Sequence, residues 1–318
     1  MAKIILLDQI KSCMNACSDS ELIQIIEDGF VSYSKGDVVV PPVGHLPFID
    51  PPGDLHIKYG FIKEDDFYVV KLASGFYDNP KIGLSSSNGL MLVFSQKTGE
   101  LLSILLDEGH LTDIRTALAG AVVAKHLAPK QLNKIGIVGT GIQARLQLRY
   151  LKSVIDCREV IAWGRSDEKL NDYKKDPILS GFTINTTQNI SDLANQCNYI
   201  VTTTPSKEPL LFTKEIQPGT HITAIGADTP GKQELEASLF GKASLIVADS
   251  KSQCIDHGDI FHAIHHNTIK ENQIVELGAL ISSGLKRSND ADITIADLTG
   301  VAIQDIQIAK FIYQKTKW

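Results

Sequence analysis

Three small residues in the stretch KIGIVGTGIQARLQLRYL carry the spacing of a phosphate cradle. Gly139, Gly141 and Ala144 give G-x-G-x-x-A directly after an apolar run and before a helical pattern. Gly139 permits the tight turn, Gly141 lets backbone approach a pyrophosphate, and Ala144 keeps helix and strand close. The amides of Ile142 and Gln143 then lie at the positive end of a helix dipole. Such a loop binds a dinucleotide; the plainer reading is a strand-to-helix turn that needs glycine only for its backbone angles. An NAD site usually carries an acid about 20 residues further on. Here the second strand ends AWGRS, where Gly164 offers no carboxylate and Arg165 and Ser166 suit a 2′-phosphate, so NADPH is favoured over NAD. Arg165 as a solvated cation stacking on adenine is the alternative. Thr204, at the end of the run TTTP, closes a later strand on the cofactor side.

Lys71 lies inside FYVVKLAS, an apolar strand pattern in which a lone ammonium is costly unless it meets an anion; an edge strand with a snorkelling lysine is the alternative. Arg115 falls in the first turn of a helix that Thr112 would cap, where the dipole is already positive. Helix end and guanidinium together form a receptor for a carboxylate or phosphate, unless Arg115 is paired with Asp113 or Asp107. Asp228 follows ITAIGA and precedes TPGK, at the carboxyl end of a strand where doubly wound sheets build their sites. Partial burial beside a nicotinamide would equip it for proton transfer; a turn-forming Asp is the plainer reading. Lys232 is placed to anchor that carboxylate or the substrate. The histidines 257, 262, 265 and 266 share no fixed helical face and read as a polar helix surface, and no metal is expected.

These groups need two lobes to carry them. Ser18 to Glu21 forms a capping box, and Leu22, Ile25, Ile26 and Phe30 continue it as a helix ending near Gly36. A Pro/Gly-rich loop at 41–53 leads to apolar runs near 66–74, 90–95 and 101–106, the last two joined by the turn SQKTG as a hairpin. Ile114, Leu118, Val122 and Leu127 mark a helix stopped by Pro129. From Lys134 short strands alternate with helices: IGIVG, EVIAW, YIVTTT, HITAIGA, SLIVAD and DITIAD. That alternation predicts an α/β fold: a Rossmann doubly wound parallel sheet at 119–299, plus a second α+β domain at 1–118 completed by the amphipathic helix in 300–318.

With 318 residues, 43% of them apolar, two domains are the natural expectation; a net charge of −6 removes any global field that would attract nucleic acid or an anionic membrane. In MAKIILLD one Lys precedes only four apolar residues before Asp8, too few for a signal core or a span, so a cytoplasmic protein is expected. Five cysteines without a CxxC pair fit free thiols, and packing is the expected role of Cys13 and Cys17.

Taken in order, LTDIRTALAGAVVAKHLAPK, IGIVGTGIQAR, ITAIGADTPGKQEL and DITIADLTGVAIQD resemble the ornithine cyclodeaminase and mu-crystallin family along essentially the whole chain. The glycine motif alone is generic; its combination with RTALAG and GADTPGK is specific. The resemblance implies a homodimer whose first lobe carries substrate groups and the subunit interface, with the cofactor on the Rossmann lobe. By motif matching, Lys71 and Arg115 hold the substrate carboxylate, Asp228 is the acid/base group, Ser86 and Arg115 contact the cofactor, and Leu298 and Thr299 border the substrate. Family members commonly add another Arg before the first strands. This chain has none before Arg115, leaving His45 or Lys58 as the substitute. The implied reaction is NAD(P)H-dependent reduction of a cyclic imino acid such as Δ1-pyrroline-2-carboxylate to L-proline. The alternatives are ornithine cyclodeamination with recycled NAD and, of another class, a non-catalytic NADPH-binding protein of crystallin type.

Overall fold

The computed structural model describes residues 2–76 and 78–316, which form two compact units. One comprises the residues up to Thr116 with those from Val301 onward; the other is Ala117–Gly300, so the division falls inside the helix His110–Leu127.

The first unit is built on a seven-stranded sheet. Its order is Lys3–Leu6, Leu101–Leu106, Ser87–Ser95, Phe67–Phe76, Gly53–Ile62 and Val38–Val39, with Gly44–Phe48 also paired to Gly53–Ile62. Only the first pair is parallel. Helices Asp19–Ser34 and Ala302–Lys315 pack together, the latter across the central strands. Alternation does the rest: Val69, Lys71, Met91, Val93 and Leu105 point to the buried face, while Val70, Leu72, Leu92 and Phe94 point to the other. Ser18 Oγ accepts from the amide of Glu21 at 3.2 Å, starting the first long helix where the capping pattern predicts it.

The second unit is one eight-stranded, wholly parallel sheet. Its order is Thr183–Thr187, Glu159–Trp163, Ile135–Val138, Tyr199–Thr202, His221–Ala224, Thr294–Asp297, Leu245–Ala248 and Ile274–Glu276. Strands buried on both faces are mainly apolar, as IGIV and LIVA are, and the polar side chains they do carry, such as Thr202 and Thr294, are hydrogen-bonded. The order reverses between Ile135–Val138 and Tyr199–Thr202, a switch point that opens the crevice where this fold takes ligands. The α/β class expected from the alternating runs is the one observed.

Two features differ from expectation. Thr112 is not a cap: the helix already begins at His110, and the Asp107 carboxylate accepts from the amide of Leu111 at 2.9 Å. The loop expected at 41–53 contains the strand Gly44–Phe48 and the start of Gly53–Ile62. In DLHIKYGFI, Leu55, Ile57, Tyr59 and Phe61 alternate with His56, Lys58 and Gly60, the period of a strand, directly after the Pro/Gly-rich stretch.

Candidate functional site

In the first unit, Lys71 sits on the central strand with 2% of its surface exposed. Its Nζ meets both carboxylate oxygens of Asp305 at 3.0 Å. Arg115, 5% exposed, places Nε 3.0 Å from Asp305 Oδ1 and donates through Nη1 to Gln304 Oε1 at 2.7 Å. Asp305 is thus the anion that Lys71 requires, and it replaces Asp107 and Asp113 as the ion-pair partner of Arg115. Lys58 is directly opposite Lys71 in register on the neighbouring strand.

The electrostatics follow from burial. Desolvation lowers the Lys71 ammonium to about 7; Asp305 opposes that fall, while the charges of Arg115 and Lys58 add to it. Burial alone would raise Asp305, but Arg115, Lys71 and Lys58 hold its carboxyl below the ordinary range. Asp107, buried nearby, is pushed up by desolvation. Three cations therefore share one firmly ionised acid. With Lys71 protonated, two lysines and an arginine outnumber the one carboxylate of Asp305, an excess of positive charge suited to receive a second carboxylate.

An expected result follows. Above pH 7 the Lys71 ammonium is progressively lost, so the inhibition constant of a simple carboxylate such as propionate should rise, by up to about tenfold per pH unit, if the charged form is the one that binds. Inhibition measured from pH 6 to 9 checks this, and Lys71→Met should flatten the dependence.

In the second unit, Gly139 has φ of +121°, and a Cβ there would lie 2.6 Å from Thr203 Oγ1. Around Gly141 a Cβ would meet nothing within 4 Å, which leaves the backbone open to a ligand. Helix Ile142–Leu151 begins at Gly141 without a side-chain cap, and the start of such a helix suits an anion. Arg145 ties the loop down through the carbonyl of Thr140 and Asp176 Oδ2. Ala144 is fully buried. These features fit a dinucleotide pyrophosphate. At Gly164 a Cβ would fall 2.9 Å from Thr140 Cγ2 and 3.1 Å from Leu170 Cδ2, so any side chain there would need its neighbours to shift. Arg165 is exposed, and Ser166 Oγ caps the next helix, accepting from the amide of Lys169 at 3.4 Å.

Asp228 ends the loop after His221–Ala224. Its side chain is 50% exposed, with Oδ1 2.6 Å from Lys232 Nζ; exposed and ion-paired, it lacks the partial burial expected of it. Lys232 accordingly anchors Asp228. Thr204 spends its amide and hydroxyl on Glu234 Oε1, at 2.6 and 2.7 Å. Thr299 is buried and bonds to Asp249, while the amide of Leu298 donates to the carbonyl of Ala224. Ser86 is exposed, and its carbonyl accepts from the amide of Phe76. His45 stacks on His56 rather than joining Lys71. His262 Nε2 donates to the carbonyl of Lys232, His266 Nδ1 donates to the carbonyl of His262, His265 packs on Phe261 and His257 contacts Asp256, so the four histidines form no common site.

Two residues escaped the sequence reading. Asp305 lies on the same helical face as Ala302, Ile308 and Ala309, and a carboxylate inside that apolar stripe was the available signal. Glu234 is fully buried and accepts from Thr202 Oγ1, Thr204 twice and the amide of Gly226, tying together the loops that follow two strands. No local pattern announces it.

The geometry can be set beside known proteins. Residues 5–318 match the ornithine cyclodeaminase/mu-crystallin family. A protein of Sinorhizobium fredii named an uncharacterized cyclodeaminase is 38% identical over 304 residues, covering 94% of this chain and 92% of its own. The structure of an archaeal alanine dehydrogenase dimer with bound NAD superimposes with a TM-score of 0.89 at 32% identity, over 99% of this chain and 95% of that one. The Δ1-pyrroline-2-carboxylate reductase of Thermococcus litoralis, in complex with NADH and L-proline, gives a TM-score of 0.89 at 25% identity, over 98% and 97%. With the family matched along nearly its full length, the chain belongs to the ornithine cyclodeaminase/mu-crystallin family.

Proposed function

We propose that this chain is a nicotinamide-dependent enzyme of amino or imino acids, reducing a cyclic imino acid such as Δ1-pyrroline-2-carboxylate to L-proline. The observation that carries this reading is the buried cationic cluster of the first unit: Lys71 and Arg115 on a single ionised acid, with Lys58 opposed to Lys71. A carboxylate fits it in charge and in planar geometry. Lys58, rather than His45, then takes the part of the family's additional Arg, because only Lys58 lies opposite Lys71.

The dinucleotide, held at Gly139, Gly141, Ile142, Gln143 and Ala144, supplies or accepts the hydride. Around it this chain's residues bind, orient and move protons. Arg115 and Lys71 fix the substrate carboxylate, so that the α-carbon is presented in one orientation. Asp228 transfers the proton of the substrate nitrogen, with Lys232 at 2.6 Å orienting its carboxylate. Leu298 and Thr299 border the substrate. Arg165 and Ser166 favour the 2′-phosphate of NADPH, since Gly164 leaves no acid for the ribose hydroxyl; Ser86 and Thr204 complete the cofactor contacts.

A homodimer accompanies this reading. The sheet face carrying Val70, Leu72, Leu92 and Phe94 is apolar, and beside it Ile4, Leu6 and Leu106 are exposed. An apolar area of that extent suits a second copy. Leu92→Asp should shift the chain from twice its mass to its single mass in light scattering, with far-ultraviolet circular dichroism unchanged.

Cyclodeamination of L-ornithine is the second reading, favoured by the cyclodeaminase name of the 38% identical relative. Purified protein is incubated with NADPH plus pyrroline-2-carboxylate and, separately, NAD plus ornithine, following nicotinamide absorbance and ammonia. Loss of absorbance with the imine supports the reductase. Ammonia released without an absorbance change supports the cyclodeaminase, and silence in both removes both.

A further inference from the structure

The outer strands of the first unit gather a second set of chemically capable side chains. Gly44–Phe48 runs antiparallel to Gly53–Ile62, with His45 directly opposite His56 and Pro47 opposite Asp54. Asp54 and His56 are two residues apart on one strand, so both project to the same face, and the register brings His45 beside them. The two imidazole rings stack with centroids 4.7 Å apart and 16° between their planes. His56 Nδ1 lies 3.6 Å from Asp54 Oδ1, too long for an N–H···O hydrogen bond. One donor atom from each of the three residues falls within 4.8 Å of the other two.

Two imidazoles and one carboxylate around a common point make a donor set for a borderline divalent cation. Neutral imidazole is the form that ligates such an ion. The carboxylate offsets half of a dication's charge, and this mixture of nitrogen and oxygen suits zinc better than magnesium or calcium. Nitrogen–zinc bonds of about 2.1 Å need donors a little over 3 Å apart, so rotation about side-chain bonds suffices to close the observed spacing. Strand pairing holds the three α-carbons in place meanwhile. We propose that His45, Asp54 and His56 form a binding site for a divalent ion of the zinc class, with three protein ligands and a remaining position open to water or a carboxylate. Spacing alone does not disclose it, because the third ligand comes from the paired strand rather than from a C-x-x-C or H-x-x-x-H run.

The site is tested by titrating the full chain with Zn2+ in a calorimeter and with Co2+ in an absorption spectrometer. The expected result is one ion per chain, micromolar affinity, and a Co2+ spectrum without the near-ultraviolet charge-transfer band of thiolate ligation. His56→Ala and His45→Ala should each weaken binding by about thirtyfold or more, and Asp54→Asn by about tenfold, with circular dichroism unchanged. Because His45 is exposed and near the sheet edge, His45→Ala tests ligation without threatening the fold. The proposal is overturned by binding only at millimolar concentrations, by full affinity in the double variant His45→Ala/His56→Ala, or by a thiolate band that transfers the ion to the free cysteines.

Discussion

Asp305→Ala should destabilise the first unit by about 3–5 kcal/mol, the cost of stranding buried charge by removing its partner. The carboxylate is the common counter-ion of Lys71 and Arg115, and all three side chains are almost wholly withdrawn from water. Without it, Lys71 escapes by giving up a proton, since its ammonium already stands at about 7. Arg115 has no such escape, because a guanidinium stays protonated, so the penalty falls on it. Urea unfolding followed by circular dichroism measures the loss in the first transition, as a chain of two units need not unfold in one step. Asp305→Asn keeps the shape and removes only the charge, and should recover little. Added formate should restore part of the stability of Asp305→Ala by entering the vacated position. A stability within about 1 kcal/mol of the parent would mean that the cations do not depend on this acid.

Asp228→Asn should lower turnover by about 10²–10⁴-fold, the range removed with a general acid or base. Dinucleotide affinity should stay nearly constant, because the glycine loop and helix end that would hold the pyrophosphate do not involve residue 228. The substitution is structurally mild: the side chain is half exposed, and the amide keeps its shape. Turnover is read from nicotinamide absorbance and affinity from fluorescence titration with NADPH. Lys232→Met gives a graded comparison, expected to reduce turnover less than Asp228→Asn because Lys232 orients the carboxylate without itself exchanging the proton. Undiminished turnover in Asp228→Asn would remove Asp228 from the chemistry.

The parallel sheet was the most legible part of the molecule. IGIVG, EVIAW, YIVTTT, HITAIGA, SLIVAD and DITIAD each contain one of its strands, because a strand covered on both faces reads as a short, mainly apolar run. Thr183–Thr187 and Ile274–Glu276, the two outermost strands, were not foreseen. TINTT buries only Ile184, so water permits a polar composition that leaves no apolar run. In the first unit, the long strand Gly53–Ile62 begins in a Pro/Gly-rich stretch that reads as loop, although Leu55, Ile57, Tyr59 and Phe61 alternate along it.

At the candidate site the division is similar. Lys71, Arg115 and Asp228 drew attention because each is out of keeping with its local pattern, and a charge in an apolar strand is a signal that needs no coordinates. Their partners did not. Asp305 lies 234 residues from Lys71 and 190 from Arg115 in the chain, and Glu234 is joined to Thr204 only through the packing of separate loops.

The order of amino acids by itself determined the α/β class, the glycine loop and the identity of the family, because these depend on backbone angles and burial that act over a few neighbouring residues. Only the tertiary structure decided which acid neutralises Lys71 and Arg115, that Asp228 is clasped by Lys232, and that His45 belongs with Asp54 and His56. The physical reason is that side-chain ion pairs and metal-type clusters depend on distances of 3–5 Å across strands and helices, and pairing register and helix packing set those distances after the chain has folded.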